Sequence, residues 1–240
     1  MARRNKGCDM KIVGLMATHG RHYYCERAVG MFLQQNHPNK HLIILQNSPV
    51  PQKLDIDYQN VTLVNRSNFS NLGDIYNAML EYIPKDADLI TIFDDDDIFL
   101  QDHFSEGEKG VIRGGKKAYK PEKSYFYCGD SITLASNVLE PSWFVDVNVI
   151  KSSKFKSESK QHHMDWVNWL ITNKQVFVDP TGPNTLVYVW GNQEKCIYHT
   201  SGDGTSRSFE NFREKETDHG DCIITPWSKE RLEKIYLKFK

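Results

Sequence analysis

Hydrophobic and polar positions over the first hundred residues follow two alternating rhythms. Lys11 to Ala17 is a short, almost unbroken apolar run, as expected of a strand buried on both faces. Beyond the turn-like Thr18-His19-Gly20-Arg21, apolar residues recur at Cys25, Ala28, Val29, Phe32 and Leu33. That is the spacing of a helix laid on a sheet. Asn36-His37-Pro38-Asn39 stops the helix, and His41 to Leu45 predicts a second strand. A proline-containing loop, Ser48 to Lys53, leads to a third strand at Val61 to Val64. Leu72, Ile75, Tyr76, Met79, Leu80 and Ile83 form a second helical stripe, ended by Pro84-Lys85-Asp86. Asp88 to Phe93 is then an apolar strand that runs straight into Asp94-Asp95-Asp96-Asp97. Strands alternating with helices predict a mostly parallel α/β sheet, in which ligands bind beyond the carboxyl ends of the strands. Candidate chemistry therefore belongs at Thr18 to Arg21, Gln46 to Ser48 and Asp94 to Asp97.

The second half has a weaker rhythm. Glu106 to Lys160 reads as less regular, richer in Lys, Ser and aromatic residues. Gln161 to Asn173 predicts a helix with Trp166, Trp169 and Leu170 on one side. Asp179 to Pro183 and His199 to Ser208 read as loops. Ser228 to Lys240 predicts an amphipathic helix with Leu232, Ile235, Tyr236 and Phe239 on its apolar face. No repeat or linker divides the chain. It reads as one domain, 1–240, with a first half of about 10–105 and a second of about 106–240.

Composition narrows the class. The 240 residues carry 30 Lys+Arg against 31 Asp+Glu, with 39 % hydrophobic and 12 % aromatic residues. Such a chain has enough apolar mass for a core and is not a uniformly basic nucleic-acid binder. No stretch approaches the roughly 18 apolar residues of a membrane span. The basic start, Met1 to Lys6, does not read as a signal peptide. Five cysteines without a C-x-x-C pair, Cys8, Cys25, Cys128, Cys196 and Cys222, read as packed, reduced thiols of a cytoplasmic protein.

Four adjacent aspartates repel one another, so something must offset their charge. In extended chain, residues two apart point the same way. Asp94 and Asp96 can converge on one cation while Asp95 and Asp97 turn elsewhere. Carboxylates with open positions suit Mg²⁺ or Mn²⁺, which keep waters and bind substrate phosphates. A solvated acidic turn is the bland alternative, but the run follows an apolar strand at the sheet's ligand-binding end.

Several segments, taken in order, resemble one family. Lys11 to Arg21 is similar to the opening strand and turn of the family 2 glycosyltransferases, and Leu42-Ile43-Ile44-Leu45-Gln46-Asn47-Ser48 to their second strand. Asn71-Leu72-Gly73-Asp74-Ile75-Tyr76-Asn77-Ala78 resembles the helix before their metal motif, and Ile92-Phe93-Asp94-Asp95-Asp96-Asp97 resembles their D-x-D-D signature. The resemblance implies the GT-A fold, a nucleotide-binding α/β sheet with an acceptor-binding second half. It implies that Asp96 ligates a metal on the donor's diphosphate, that Asp94 shares the metal or binds the ribose, and that Asp95 lies beside the nucleotide. Thr18, His19 and Arg21 would line the nucleotide pocket, with Asp74 nearby. The family usually has Asp after its second strand; here Gln46-Asn47 stand there. Amides both donate and accept hydrogen bonds, so a nucleobase contact survives while uridine preference weakens, leaving a UDP-sugar only weakly favoured.

His163-Met164-Asp165-Trp166-Val167-Asn168-Trp169-Leu170 resembles the family's E-D segment, with Met164 in the usual Glu position. Asp165 is the expected catalytic base, in the first helical turn where acids are favoured in any case. His162 and His163 read as surface or supporting residues. His199 stands where many GT-A enzymes place a histidine on the metal or diphosphate. Trp143 has two readings, a face for a sugar or part of the core. Lys109 to Lys123 holds six cations and a single acid, Glu122. Beside the reading as ordinary surface, such a patch suits a phospholipid-linked glycan, a membrane surface or DNA carrying hydroxymethylated bases. The resulting expectation is a metal-dependent, inverting glycosyltransferase using a nucleotide-diphosphate sugar and acting on a glycan, a lipid-linked glycan or viral DNA. Its rivals are a nucleotidyltransferase or phosphohydrolase on a similar sheet, and a non-catalytic nucleotide-sugar binding module.

Overall fold

Apolar residues on both faces put the first strand in the middle of the molecule. In the computed structural model, which describes residues 10–54, 58–128, 131–136, 140–158 and 161–189, β1 (Ile12–Thr18) lies between two parallel neighbours, β2 (Lys40–Gln46) and β4 (Leu89–Ile92). β3 (Val61–Asn65) continues the parallel set beyond β2. On the other side come β9 (Phe144–Asp146), β6 (Ala118–Pro121) and β10 (Val176–Asp179), giving the order β10-β6-β9-β4-β1-β2-β3. β9 alone runs antiparallel to its neighbours. The result is the expected α/β architecture, a mostly parallel seven-stranded sheet flanked by helices.

Alternation along the strands sorts the core into two layers. Ile12, Met16, Leu42 and Ile44 face one side and Val13, Leu15, Ile43 and Leu45 the other. Helices α1 (His22–Leu33) and α3 (His103–Gly114) cover the first side; α2 (Leu72–Met79), α4 (Val147–Ser153) and α5 (Met164–Thr172) cover the second. A smaller sheet, ordered β5-β11-β7-β8, is built from β5 (Ile98–Phe99), β7 (Lys123–Cys128), β8 (Ser131–Ser136) and β11 (Leu186–Val189).

The second half is more regular than its sequence rhythm suggests, and α3 shows why. Its sheet-facing row includes Gly107, Gly110 and Gly114, which lie against the rings of Phe144, Tyr119 and Phe177. A Cβ at any of the three would overlap the ring beneath it. Glycines carry no hydrophobic signal, so a buried helix face is invisible to a periodicity reading. Trp169 departs from expectation as well: Trp166 and Leu170 are buried, whereas Trp169 is 43 % exposed. Trp143 takes the core reading, 3 % exposed and edge-on to Trp166.

Gly73 marks a close crossing of the two halves. Its amide donates to the Glu158 carbonyl at 3.0 Å, and a Cβ there would sit on the Lys156 carbonyl oxygen. Cys25 is a free, buried thiol; Cys8, Cys196, Cys222 and the side chain of Cys128 lie outside the described residues, as does the expected helix at 228–240. Among the described residues no helix is long and apolar enough to cross a membrane.

Candidate functional site

Because β1 and β4 are parallel neighbours, their carboxyl ends deliver Thr18 and the aspartate run to the same rim. The run alternates: Asp95 and Asp97 are buried, while Asp94 and Asp96 are partly exposed. The inward pair is anchored. Thr18 Oγ1 donates to Asp95 Oδ2 at 2.6 Å, and Arg21 at the start of α1 forms ion pairs with both Asp95 and Asp96, the latter at 3.0 Å. Arg27, one helical turn and a half further on, donates through Nη2 to the carbonyls of Asp95 at 3.0 Å and Asp97 at 2.9 Å. From the second sheet the Val189 amide donates to Asp97 Oδ1 at 2.9 Å. On the outward side, the Tyr76 hydroxyl donates to Asp94 Oδ1 at 3.0 Å.

Electrostatics follow from this crowding. Burial, then the Asp96 and Glu140 charges, push the Asp94 carboxyl well above its ordinary range. Burial followed by Asp96 and Asp94 does the same to Asp97. Burial lifts Asp95 too, though Arg21 and the Thr18 hydroxyl hold it to about 6. Two guanidiniums thus face four carboxylates, and Asp97 Oδ2 is buried without a hydrogen-bond partner among the described residues. Carboxylates outnumber the guanidiniums that the described residues bring to them. An all-oxygen set of this kind, with Asp94 and Asp96 turned to the rim, fits Mg²⁺ or Mn²⁺.

The other expected pocket residues are engaged locally. Gln46 is buried and accepts the Gly20 amide through Oε1 at 3.1 Å, fixing the turn after β1. Asn47 exchanges two bonds with the Phe69 backbone, at 2.9 and 3.3 Å. Asp74 takes up the Asn71 side chain at 2.6 Å and the Ser157 hydroxyl at 2.9 Å, while Asn71 caps α2 by accepting the Asp74 amide. His19 turns a buried Nδ1 inward, where it meets no hydrogen-bond partner among the described residues. His199 lies outside the described residues.

A second group of ionisable side chains reaches the same rim. β9 runs opposite to its neighbours, so its entrance lies where their exits do, and the 3-10 turn Glu140–Ser142 arrives beside the aspartates. Glu140 forms an ion pair with His163, and ligand-type atoms of Glu140, His162 and His163 all lie within 4.8 Å of one another. Burial favours the neutral acid, but His163 and then His162 hold the Glu140 carboxyl down to about 2. The His162 ring stacks on Tyr76, centroids 5.2 Å apart and planes 16° apart. These histidines were expected at the surface or in support; His162 is not at the surface but 5 % exposed and packed against both Tyr76 and Phe155. Asp165 follows two residues later in the first turn of α5, half exposed and paired with Lys156 at 3.2 Å. Among the described residues no contact joins it to the aspartate run; the residues just ahead of its helix reach the run through His162, stacked on Tyr76.

Three contributors escaped the sequence reading. Tyr76 sits in an apolar stripe and reads as core. Arg27 hides between buried positions of α1. Glu140 precedes a proline in a stretch without rhythm; only topology brings it to the rim. The basic stretch, by contrast, is not one face. Lys109 pairs with Glu106, Arg113 with Asp179 and Lys117 with Asp146, and Lys120 is buried with its ammonium over the Trp143 ring at 5.6 Å.

No protein-family model matches the sequence, and no curated protein resembles it in sequence. Solved structures do share its fold. Residues 1–349 of Staphylococcus aureus TarS in complex with UDP match with a TM-score of 0.63 at 12 % identity, over 96 % of this chain and 70 % of that one. The UDP-GlcNAc complex of the same fragment gives 0.59 at 12 % identity, over 96 % and 71 %. The mannosyltransferase PcManGT from Pyrobaculum calidifontis, in complex with GDP-Man and Mn²⁺, gives 0.56 at 10 % identity, over 97 % and 73 %. The chain shares the fold of these structures. The chain spans 60 % of another TarS 1–349 structure and 37 % of the longer TarS chain.

Proposed function

We propose that this chain is a metal-dependent glycosyltransferase that transfers a sugar from a nucleotide-diphosphate donor to an acceptor hydroxyl with inversion. The observation that carries this reading is the division of the aspartate run: Asp95 and Asp97 are anchored inward, leaving Asp94 and Asp96 turned to the rim at the ends of β1 and β4. The neighbours' nucleotide sugars and, in PcManGT, Mn²⁺ support the same assignment by fold. Asp96, with Asp94, holds the divalent ion, and His199 is its third protein ligand. Bound there, the ion supplies Lewis-acid stabilisation of the departing diphosphate. Thr18 and Arg21 fix the shape of the run, and Gln46 and Asn47 hold the loops that frame the nucleotide.

Asp165 takes the proton from the acceptor as its oxygen attacks the anomeric carbon. The start of a helix favours a carboxylate there. Residues of about 10–105 serve the donor and those beyond about 106 the acceptor, within one domain. The acceptor in this reading is a glycan, free or lipid-linked; locally matched charges leave the stretch from Lys109 to Lys123 little claim on nucleic acid.

A thermal-shift screen of UDP- and GDP-sugars with and without Mn²⁺ tests the reading, since ligands of the native state raise its melting temperature. A donor that stabilises only with Mn²⁺, and then releases intact nucleoside diphosphate on turnover, is the expected result. Pyrophosphate or monophosphate as product would instead establish a nucleotidyltransferase or phosphohydrolase.

A further inference from the structure

Glu140, His162 and His163 come from two separate segments, the turn before β9 and the residues leading into α5. Their ligand-type atoms nevertheless gather within 4.8 Å of one another. Ligand atoms bound tetrahedrally to one ion at about 2.1 Å stand about 3.4 Å apart, so a side-chain adjustment of about 1 Å brings the three onto a common ion. His163 Nδ1 is buried and pairs with the Glu140 carboxylate.

The surroundings are aromatic. Tyr76 stacks on the His162 ring, Phe155 tilts against it at 5.8 Å, and Trp166 packs on His163 at 6.0 Å. Apolar walls of this kind restrict water and fix ring orientation. Two imidazoles and a carboxylate also make a donor set unlike the aspartate run. Two imidazoles favour zinc and its late first-row neighbours, whereas a set dominated by carboxylates, as at the aspartate run, suits Mg²⁺ or Mn²⁺. Three protein ligands leave at least one position of such an ion open.

We propose that Glu140, His162 and His163 form a second, independent site for a zinc-class divalent ion at the rim. The site ties the entrance of β9 to the start of α5, and so holds Asp165 in place relative to Asp94 through His162 and Tyr76. It stands whether or not the donor reading is right, because its ligands are not those of the aspartate run.

The test uses the full, untagged chain, stripped with a chelator and titrated with Co²⁺ as a coloured stand-in for Zn²⁺. One equivalent is expected to bind with visible bands of a four- or five-coordinate ion and to be displaced by Zn²⁺. His163→Gln and Glu140→Gln should each lower Co²⁺ affinity by at least about 100-fold, since even partners one shell out cost 10–100-fold. Asp96→Ala should leave the bands unchanged. Absence of the bands, or their survival in His163→Gln, overturns the proposal. So does their loss in Asp96→Ala, which would assign the ion to the aspartates. Because a buried substitution can unfold the chain, each variant's melting temperature is measured without metal. A His163→Gln protein that folds like the parent but binds no Co²⁺ supports the site, and one that folds and still binds overturns it. His162→Gln repeats the comparison from the second imidazole.

Discussion

The aspartate run and the Glu140–His162–His163 cluster lie on one rim yet are stabilised by opposite means. In the run, like charges are packed side by side and held by groups brought from outside it: Arg21, Arg27, Thr18, Tyr76 and the Val189 amide. In the cluster, acid and base are matched internally, and Glu140 stays ionised in a buried position because histidines face it. The run therefore holds more carboxylates than guanidiniums and calls for a hard cation, while the cluster pairs its acid internally and offers softer nitrogen ligands. Proximity alone does not make two groups of ligands one site. Tyr76 is where they touch, its hydroxyl on Asp94 and its ring on His162.

The sharpest way to separate the two is Asp96→Ala. It should abolish Mn²⁺-dependent donor binding in calorimetry while the unfolding midpoint stays near the parent's; unchanged affinity would remove the metal from the run. Next comes Asp165→Asn, expected to bind donor normally and to lower turnover by about 10²-fold, the scale of general base catalysis. Turnover near the parent value would move the base elsewhere.

Gly73→Ala probes the seam between the halves. Its new methyl would meet the Lys156 carbonyl, costing about 2 kcal/mol of stability in urea unfolding, as expected of overpacking. A neutral effect would mean that the crossing loop yields freely.

His103 supplies the contrast within the histidines. It faces the Thr185 hydroxyl at 2.7 Å and aromatic rings, and burial holds it down to about 3. The unfolded chain takes up a proton near the ordinary 6.5 while the folded one resists until about 3. Between those values the unfolded state binds more protons, so stability falls as the pH drops, by about 1.4 kcal/mol per unit. His103→Asn should flatten that slope between pH 6 and 5; an unaltered slope would show that other groups carry it. The smallest effect is expected of Tyr76→Phe, which removes one hydrogen bond from Asp94. Donor affinity should fall by about 1 kcal/mol, roughly fivefold, and the Co²⁺ bands should shift little. Loss of Co²⁺ binding in this variant would make the two clusters a single unit.

How much of this was legible beforehand depended on whether a residue's surroundings lie close in sequence. β1 to β4, α1 and α2 announce themselves because each buries its own apolar stripe, and Asp94 to Asp97 are readable because they directly follow a strand. Arg21 and Thr18 were placed at the rim by the same logic, though not their grip on Asp95. Glu140 was out of reach: it arrives through a single reversed strand, and no local pattern encodes strand direction. Gln46 and Asn47 were read for their chemistry toward a nucleobase, whereas the structure engages them with the Gly20 and Phe69 backbones. The charge count from Lys109 to Lys123 misled in a related way, because its partners Asp146 and Asp179 are distant along the chain.

A helix that rests on its sheet through bare backbone leaves natural variation very unequal freedom. Along α3, Gly107, Gly110 and Gly114 admit no larger residue unless Phe144, Tyr119 or Phe177 shrinks in step. Lys109 and Ile112, on the outer side, are exposed and unconstrained in volume. Drift should accumulate on that outer row, while the inner row changes only through paired exchanges of helix residue and ring.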